Sequence, residues 1–396
     1  MREAAAGLAG PGATRRAVFI AGPHYRRPSY GSNHPLAIPR VSLAFDVIEA
    51  YGALTPEEFI RSRPASVAEL TRFHTRDYVN ALKRTEAFGR VRAADRSRHE
   101  IGTIENPYFP GIFYTPALAT GGSLQAAEAV LSGSHAFSPA GGMHHAIPDA
   151  ARGFCYFNDV ALAIIRLRDE GLRVLYLDID AHHGDGVEQA FWDDAGVLTV
   201  SLHMDTAFAY PFKGGRLQDQ GGPKALGSVL NVPLPRDTCD REYREVFDHV
   251  WQPLVERFRP DVIVLQTGTD ALFGDPLGRF RLSTAGFLSV VEQVVAAGVP
   301  VLATGGGGYH PLLLARAWAG VWGLLSGRML PVALPEAASR ALRAVGWDED
   351  EDEPYYEALF RDRLEYGEER PVRPLVRELL AMLSGHAALK RHLWVS

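Results

Sequence analysis

The sequence predicts an α/β protein, a three-layer α/β/α arrangement around a central, mainly parallel sheet, on three observations. Short apolar runs lack the in–out alternation of a sheet with one wet face, as buried parallel strands do. They lie at Ala17–Ala21, 173–179, Val197–Leu202, Val262–Gln266 and Val301–Ala303. Segments 158–170, 241–257 and 283–297 repeat their apolar residues at helical spacing instead. The two kinds of segment alternate, which is how strand–helix–strand units cover both faces of a parallel sheet.

Each element has a local reason. The first strand follows a stretch rich in small residues that ends at Arg15 and Arg16. Without an unbroken apolar core, residues 1–16 read as a flexible leader and not as a signal peptide. Thr115-Pro116 predicts the opening of a helix with proline in its first position. Asn158 is expected to cap the helix that follows it, and Gly171 to end it. Residues 17–330 form the main domain in this reading, with no internal repeat. Beyond it, Pro331, Pro335 and the acid run Asp348–Glu353 interrupt the pattern before a short amphipathic helix near 374–384. Residues 331–396 are expected to be an extension packed on the main domain, with the acid run a solvated loop.

Composition narrows the function classes. The 396 residues are 46% hydrophobic and 22% charged, a globular profile that suffices for one large domain or two ordinary ones. Net charge is -6 and the basic residues are scattered, so no nucleic-acid-binding stripe is expected. Cys155 and Cys239 are the only cysteines, which excludes a disulfide framework and a Cys-rich zinc site. No apolar stretch reaches the ~18 residues of a membrane crossing, and a cytoplasmic location follows as the default.

The chemistry concentrates where apolar runs end. Val174–Leu177 leads directly into Asp178, Asp180, His182, His183 and Asp185. Strand periodicity would project Asp178, Asp180 and His182 from one side. Carboxylate and imidazole so spaced are ligands for a divalent metal, at the sheet edge where open α/β proteins keep their sites. Asp270, after the Val262–Gln266 run, is placed to be a further ligand, whereas Asp275-Pro276 reads as a turn. The loop Pro139-Ala-Gly-Gly-Met-His144-His145 delivers two adjacent imidazoles. Gly153 to Asn158 form an aromatic-rich turn, in which core packing explains Phe157 better than Phe154. Gly305–Gly308 let backbone come very close to something, and Tyr309 brings a hydroxyl to the same place. No Lys-Ser/Thr pair follows the glycines, so a phosphate loop is not indicated.

The motifs AGGMHHA, GFCYFNDVALAI, VLYLDIDAHHGDGVEQAF, TVSLH, VLQTGTDALFGDPLG and GGGGY run in that order from about residue 18 to 325. Together they resemble the zinc-dependent histone deacetylase superfamily, in particular its class I-like branch with the bacterial acetoin-utilisation deacetylases. The acetylpolyamine amidohydrolase and class II branch typically has a PPGHH form in place of the AGG-x-HHA loop. The resemblance implies an arginase/deacetylase-like fold, a deacetylase catalytic domain over 17–330, and an acetylated protein or small-molecule amine as substrate. It makes Asp180, His182 and Asp270 the metal ligands, with coordination left open for water and a substrate carbonyl. Zinc is the expected ion, and the mixed oxygen and nitrogen set also suits Fe(II).

It pairs His144 with Asp178 and His145 with Asp185, His145 acting as general base and His144 tuning the electrostatics and assisting the leaving amine. Tyr309 becomes the donor to the substrate carbonyl and then to the oxyanion. Gly153, Phe154 and Tyr210 become the walls of a narrow tunnel, with Leu277 at its rim and Gly307 among the substrate-binding residues. Tyr210 stands where the family usually has phenylalanine. Glu105 stands where it has an aspartate that grips the substrate backbone. Arg40 matches an arginine of the inner pocket. Potassium is expected at an inner site of Asp178, Asp180, His182, Ser201 and Leu202, and at an outer one of Phe191, Asp194, Val197 and Ser228.

Two rival classes make different demands. A binuclear arginase-like ureohydrolase needs Asp-x-His-x-Asp, and here Gly184 occupies the last position. Gly268 and Leu272, two residues to either side of Asp270, offer no ligand either. A catalytically inactive acyl-lysine-binding module would have lost a ligand, a tandem histidine or the tyrosine, and this chain keeps all of them.

Overall fold

The computed structural model describes residues 15–27, 30, 34–347, 353–365, 367 and 370–390. Its centre is one sheet of eight parallel strands: β1 (Ala17–Ala21), β2 (Phe59–Arg61), β3 (His135–Ser138), β4 (Val174–Asp178), β5 (Val197–Met204), β6 (Val229–Leu234), β7 (Val262–Gln266) and β8 (Val301–Thr304). The order across the sheet is β2-β1-β3-β8-β7-β4-β5-β6. β4 is central, with Val174 beside both Val197 of β5 and Val262 of β7. All five of its residues are buried, which is why its sequence carries no alternation.

Alternate residues still serve different layers. Leu175 and Leu177 join a core with the helices Arg40–Ala50, Asp240–Phe258, Thr284–Ala296 and Pro311–Leu325. Val174 and Tyr176 face the opposite core, with the helices Tyr114–Leu131, Asp159–Asp169 and Asp185–Phe191. The three-layer α/β/α arrangement follows from burying both faces, each aliphatic side chain contributing about 1.5–3 kcal/mol.

The strands and helices read from the sequence stand within a residue or two of their expected ends. Asn158 accepts from the Ala161 N–H at 2.9 Å, and Gly171 takes φ +74° after the helix. The helix opening near Thr115-Pro116 begins earlier than expected, at Tyr114, so Pro116 is its third residue. A proline fits there because the first turn's N–H groups lack helical partners in any case. β4 ends at Asp178, so Asp180 and His182 lie on the loop beyond it and strand periodicity does not set their direction.

Beyond residue 330, Ala338, Leu342, Leu359, Phe360, Val376, Leu379 and Leu383 are buried in the first core. Residues 1–14 of the leader and 348–352 of the acid run lie outside the described residues. Both cysteines are free and buried. Among the described residues, no helix is long and apolar enough to cross a membrane.

Candidate metal and catalytic site

Four neighbouring strands deliver the site from their carboxyl ends. The loops after β3, β8, β7 and β4 carry the tandem histidines, the glycine run with Tyr309, Asp270, and the Asp180–His182 pair, respectively. One ligand atom from each of Asp180, His182 and Asp270 lies within 4.8 Å of the others. The two carboxylates are buried, and backbone orients them. Asp180 accepts the His182 N–H at 2.9 Å and the Gly307 N–H at 2.7 Å, and Asp270 accepts the Ala181 N–H at 2.9 Å.

This donor set fits a divalent cation. Without a positive charge, two buried carboxylates so close together are costly. The same demand shows at His182, its Nδ1 2.8 Å from Asp270: although burial opposes protonation the two carboxylates push its pKa up to about 10, and a bound divalent cation would take the place of that proton. Burial and the Asp180 charge push Asp270 up to about 7. Glycines complete the cradle: a Cβ at Gly307 would stand 2.0 Å from Asp270 Oδ2, and one at Gly268 1.9 Å from Asp180 Oδ2.

The tandem histidines face each other, Nε2 to Nε2, at 2.9 Å. His144 Nδ1 meets Asp178 Oδ2 at 2.8 Å, and His145 Nδ1 meets Asp185 Oδ1 at the same distance. Asp178 also accepts the Tyr176 hydroxyl at 2.6 Å and the Asp180 N–H at 3.1 Å. The two rings separate electrostatically. Burial lowers the pKa of His144, but Asp178 and Asp180 outweigh it and push it up to about 9. Burial and the His144 charge hold His145 down at about 4, despite Asp185. At neutral pH one ring is cationic and the other neutral. The neutral ring donates a hydrogen bond from its Nδ1–H to Asp185 and keeps Nε2 as an acceptor.

Tyr309 lies in one pocket with both histidines and the three ligand residues. Burial, with Asp270 and Asp180 nearby, raises its phenol well above the ordinary value, so it stays a donor. Arg40, buried below, donates to Gly306 O at 2.6 Å and lines an inner cavity of about 80 Å³.

Toward solvent the pocket widens into a mouth of about 380 Å³ whose lining includes Glu105, Gly153, Phe154, Tyr210, Arg236, Leu277 and Arg279. The Tyr210 ring stands edge-on to His145, centroids 4.8 Å apart. Gly153 is required there: it takes φ +52°, and a Cβ would meet His145 Cδ2 at 2.4 Å.

The proposed cation residues fall in two groups. Ser201 pairs in register with Asp178, and its hydroxyl meets His203 Nδ1 at 2.7 Å; Leu202 follows it in β5. Phe191, Asp194 and Val197 are joined by backbone hydrogen bonds away from the ligand triad. There the Asp194 carboxylate is taken by Arg168, and the buried Ser228 hydroxyl has no partner among the described residues.

Three residues hold these groups in place in ways the sequence reading did not give them. Asp275 does make a turn, accepting the Leu277 and Gly278 N–H groups, but its other oxygen accepts the Tyr309 N–H at 2.6 Å and the His310 N–H at 3.3 Å. Asn158 caps its helix and also donates to the carbonyls of His144 and Ala146. Asp159 accepts the N–H groups of Gly142 and Met143 and the Ser123 hydroxyl, and so pins the histidine loop. The only local signal for Asp159 was an acid in the first turn of an apolar helix, and nothing local marked the second role of Asp275.

The histone deacetylase domain, as a family model, matches residues 34–325. The chain is 37% identical over 333 residues to histone deacetylase RPD3 of Saccharomyces cerevisiae, covering 82% of this chain and 75% of that protein. It is 34% identical over 354 residues to the acetoin utilization protein AcuC of Bacillus subtilis, covering 82% and 90% respectively. Among solved structures, an HDAC homolog from Aquifex aeolicus superposes with a TM-score of 0.89 at 40% identity, over 93% of this chain and 100% of that one. An HDAC homolog complexed with SAHA superposes equally well at 39% identity.

Proposed function

The chain belongs to the histone deacetylase family, whose members are metal-dependent deacetylases, and from that premise we propose that it hydrolyses ε-N-acetyl-lysine in proteins. The observation that carries this reading is the convergence of the ligand triad, two carboxylate-backed histidines and Tyr309 on one pocket. Zn(II), or Fe(II), held by Asp180, His182 and Asp270 would polarise the amide carbonyl and acidify water.

The chain's own residues do the rest. Phe154 and Tyr210 flank the slim acyl-lysine stem and exclude water, and the mouth leads it to the ligand triad. Neutral His145 takes the proton of the attacking water at Nε2 while Asp185 holds its other nitrogen. The Tyr309 hydroxyl donates to the carbonyl oxygen as negative charge builds on it. Cationic His144 returns a proton to the departing nitrogen, so amide and water become acetate and free amine.

Acetylated polyamines are the second substrate class. The charges at the mouth favour a polypeptide over them, since Arg236 and Arg279 both line it and Glu105 is the one acid among its lining residues. We further propose potassium at the inner group of residues and a cytoplasmic location. The test is acetate release from acetyl-lysine peptides by the zinc-loaded protein, with Asp180→Ala and Tyr309→Phe as controls. No release from peptides, acetylated proteins or acetylated polyamines would favour a binding module instead, and two catalytic ions per chain would favour a ureohydrolase.

A further inference from the structure

Phe154 lines the mouth, the pocket of the ligand triad and the inner cavity alike, so its ring stands where the three spaces meet. It stands there on a strained backbone, since Gly153 takes φ +52° and Phe154 φ +64°. Glycine adopts that conformation freely, whereas phenylalanine is biased against it about 5- to 30-fold. The two successive N–H groups of this turn each meet a side-chain acceptor. That of Gly153 donates to Glu105, which also accepts the Tyr210 hydroxyl at 2.7 Å, and that of Phe154 donates to Asn106 Oδ1 at 3.1 Å. Asn106 is 1% exposed and its other polar groups are engaged too. Its Nδ2 donates to Ala151 O at 3.2 Å, its own N–H to Thr103 Oγ1 at 3.0 Å, and its carbonyl accepts the Gly102 N–H at 2.7 Å. Both ends of this buried amide therefore grip the turn that aims Phe154, and the anchor itself has no slack.

We propose that Asn106 is a positioning residue that sets acyl-chain selectivity: by holding Phe154 in the left-handed conformation it keeps the ligand pocket partitioned from the inner cavity, and so favours acetyl over longer acyl groups. This rests on the acyl-lysine reading above and deepens it. Without the Asn106 acceptor, Phe154 relaxes to a right-handed or extended backbone and its ring leaves the junction. The acetyl-lysine stem then loses a wall, while the further carbons of a butyryl group gain the cavity of about 80 Å³ beneath.

The test uses the full zinc-loaded chain and one peptide in two forms, acetylated and butyrylated on the same lysine. Asn106→Leu keeps the volume and removes the hydrogen bonds. It is expected to lower kcat/KM for the acetyl peptide about 5- to 30-fold and to leave the butyryl peptide within about twofold, so that the butyryl-to-acetyl ratio rises. Phe154→Ala is expected to raise that ratio by at least as much, and Asn106→Leu to add nothing on top of it. Asn106→Ser, too short to reach the Phe154 N–H but with room for water there, is expected to move the ratio the same way and decides the matter should Asn106→Leu fail to fold. Equal losses on both peptides, a ratio unchanged in Phe154→Ala, or independent effects in the double variant would make Asn106 a purely structural residue and overturn the proposal. Absence of turnover of both peptides by the unaltered protein would instead remove the activity reading on which the selectivity rests.

Discussion

At the tunnel floor, Asp180, Asp270 and Asp178 are buried and each accepts backbone N–H groups or neighbouring side-chain donors, while Gly268 and Gly307 leave no room for them to move. At the lip, Glu105 and Tyr210 are partly exposed and held by one or two bonds, and Arg236 and Arg279 are exposed. The difference separates two tasks. Charge placement for chemistry tolerates little displacement and is over-determined by backbone, whereas substrate selection uses side chains that water can still reach.

Substitutions can break or sharpen this contrast. The largest effects are expected at the floor: Gly307→Ala should lower metal affinity up to about 10²-fold, measured by metal content after dialysis against a graded chelator. If Gly307→Ala bound zinc normally, the floor would be far softer than its contacts imply. Tyr309→Phe should cost about 10²–10³ in kcat with zinc content unchanged. Asp275→Ala should strand the Tyr309 and His310 N–H groups; kcat should fall about tenfold and the melting temperature should drop with it, since unpaired buried donors cost about 1–3 kcal/mol.

The tandem histidines predict a bell-shaped kcat/KM profile. Activity is lost as pH falls through His145, near 4, because the base becomes protonated. It is lost again as pH rises through His144, near 9, because the acid gives up its proton. Asp178→Asn removes the charge that raises His144, so the alkaline limb should move toward neutrality. A limb that did not move would take His144 out of the acid role.

The smallest effect belongs to the lip. Replacing Arg236 and Arg279 by glutamine should reduce kcat/KM about 2- to 5-fold for acetyl-lysine peptides with acidic flanking residues. The loss should vanish in high salt, as expected of exposed ion pairs.

Much of this was legible because some residues have strongly constrained surroundings. β4 and β7 were readable as strands since both faces are buried and apolar residues run unbroken, and the acids that follow stood out against them. β6 escaped because Pro233 interrupts its pattern. The structure places β6 at the sheet edge, where a missing N–H is tolerated. β2 is three residues long, and β3 (His135–Ser138) has a polar residue at each end, so neither presents an apolar run to separate it from loop. Asp275 looked like a turn residue and is one; its second oxygen bonds a segment 34 positions away, which local pattern does not reveal.

By itself the sequence determined which segments bury both faces, which acids and imidazoles sit at their ends, and which family those motifs resemble. Burial and spacing are local properties, written residue by residue. Only the tertiary structure decided the strand order that makes β4, β7, β8 and β3 neighbours, the opposed charge states of His144 and His145, the hold of Asp275 on Tyr309, and the meeting of Glu105 with Tyr210. These depend on distances between segments far apart in the chain, and at such distances burial and Coulomb attraction act through space, not along the backbone.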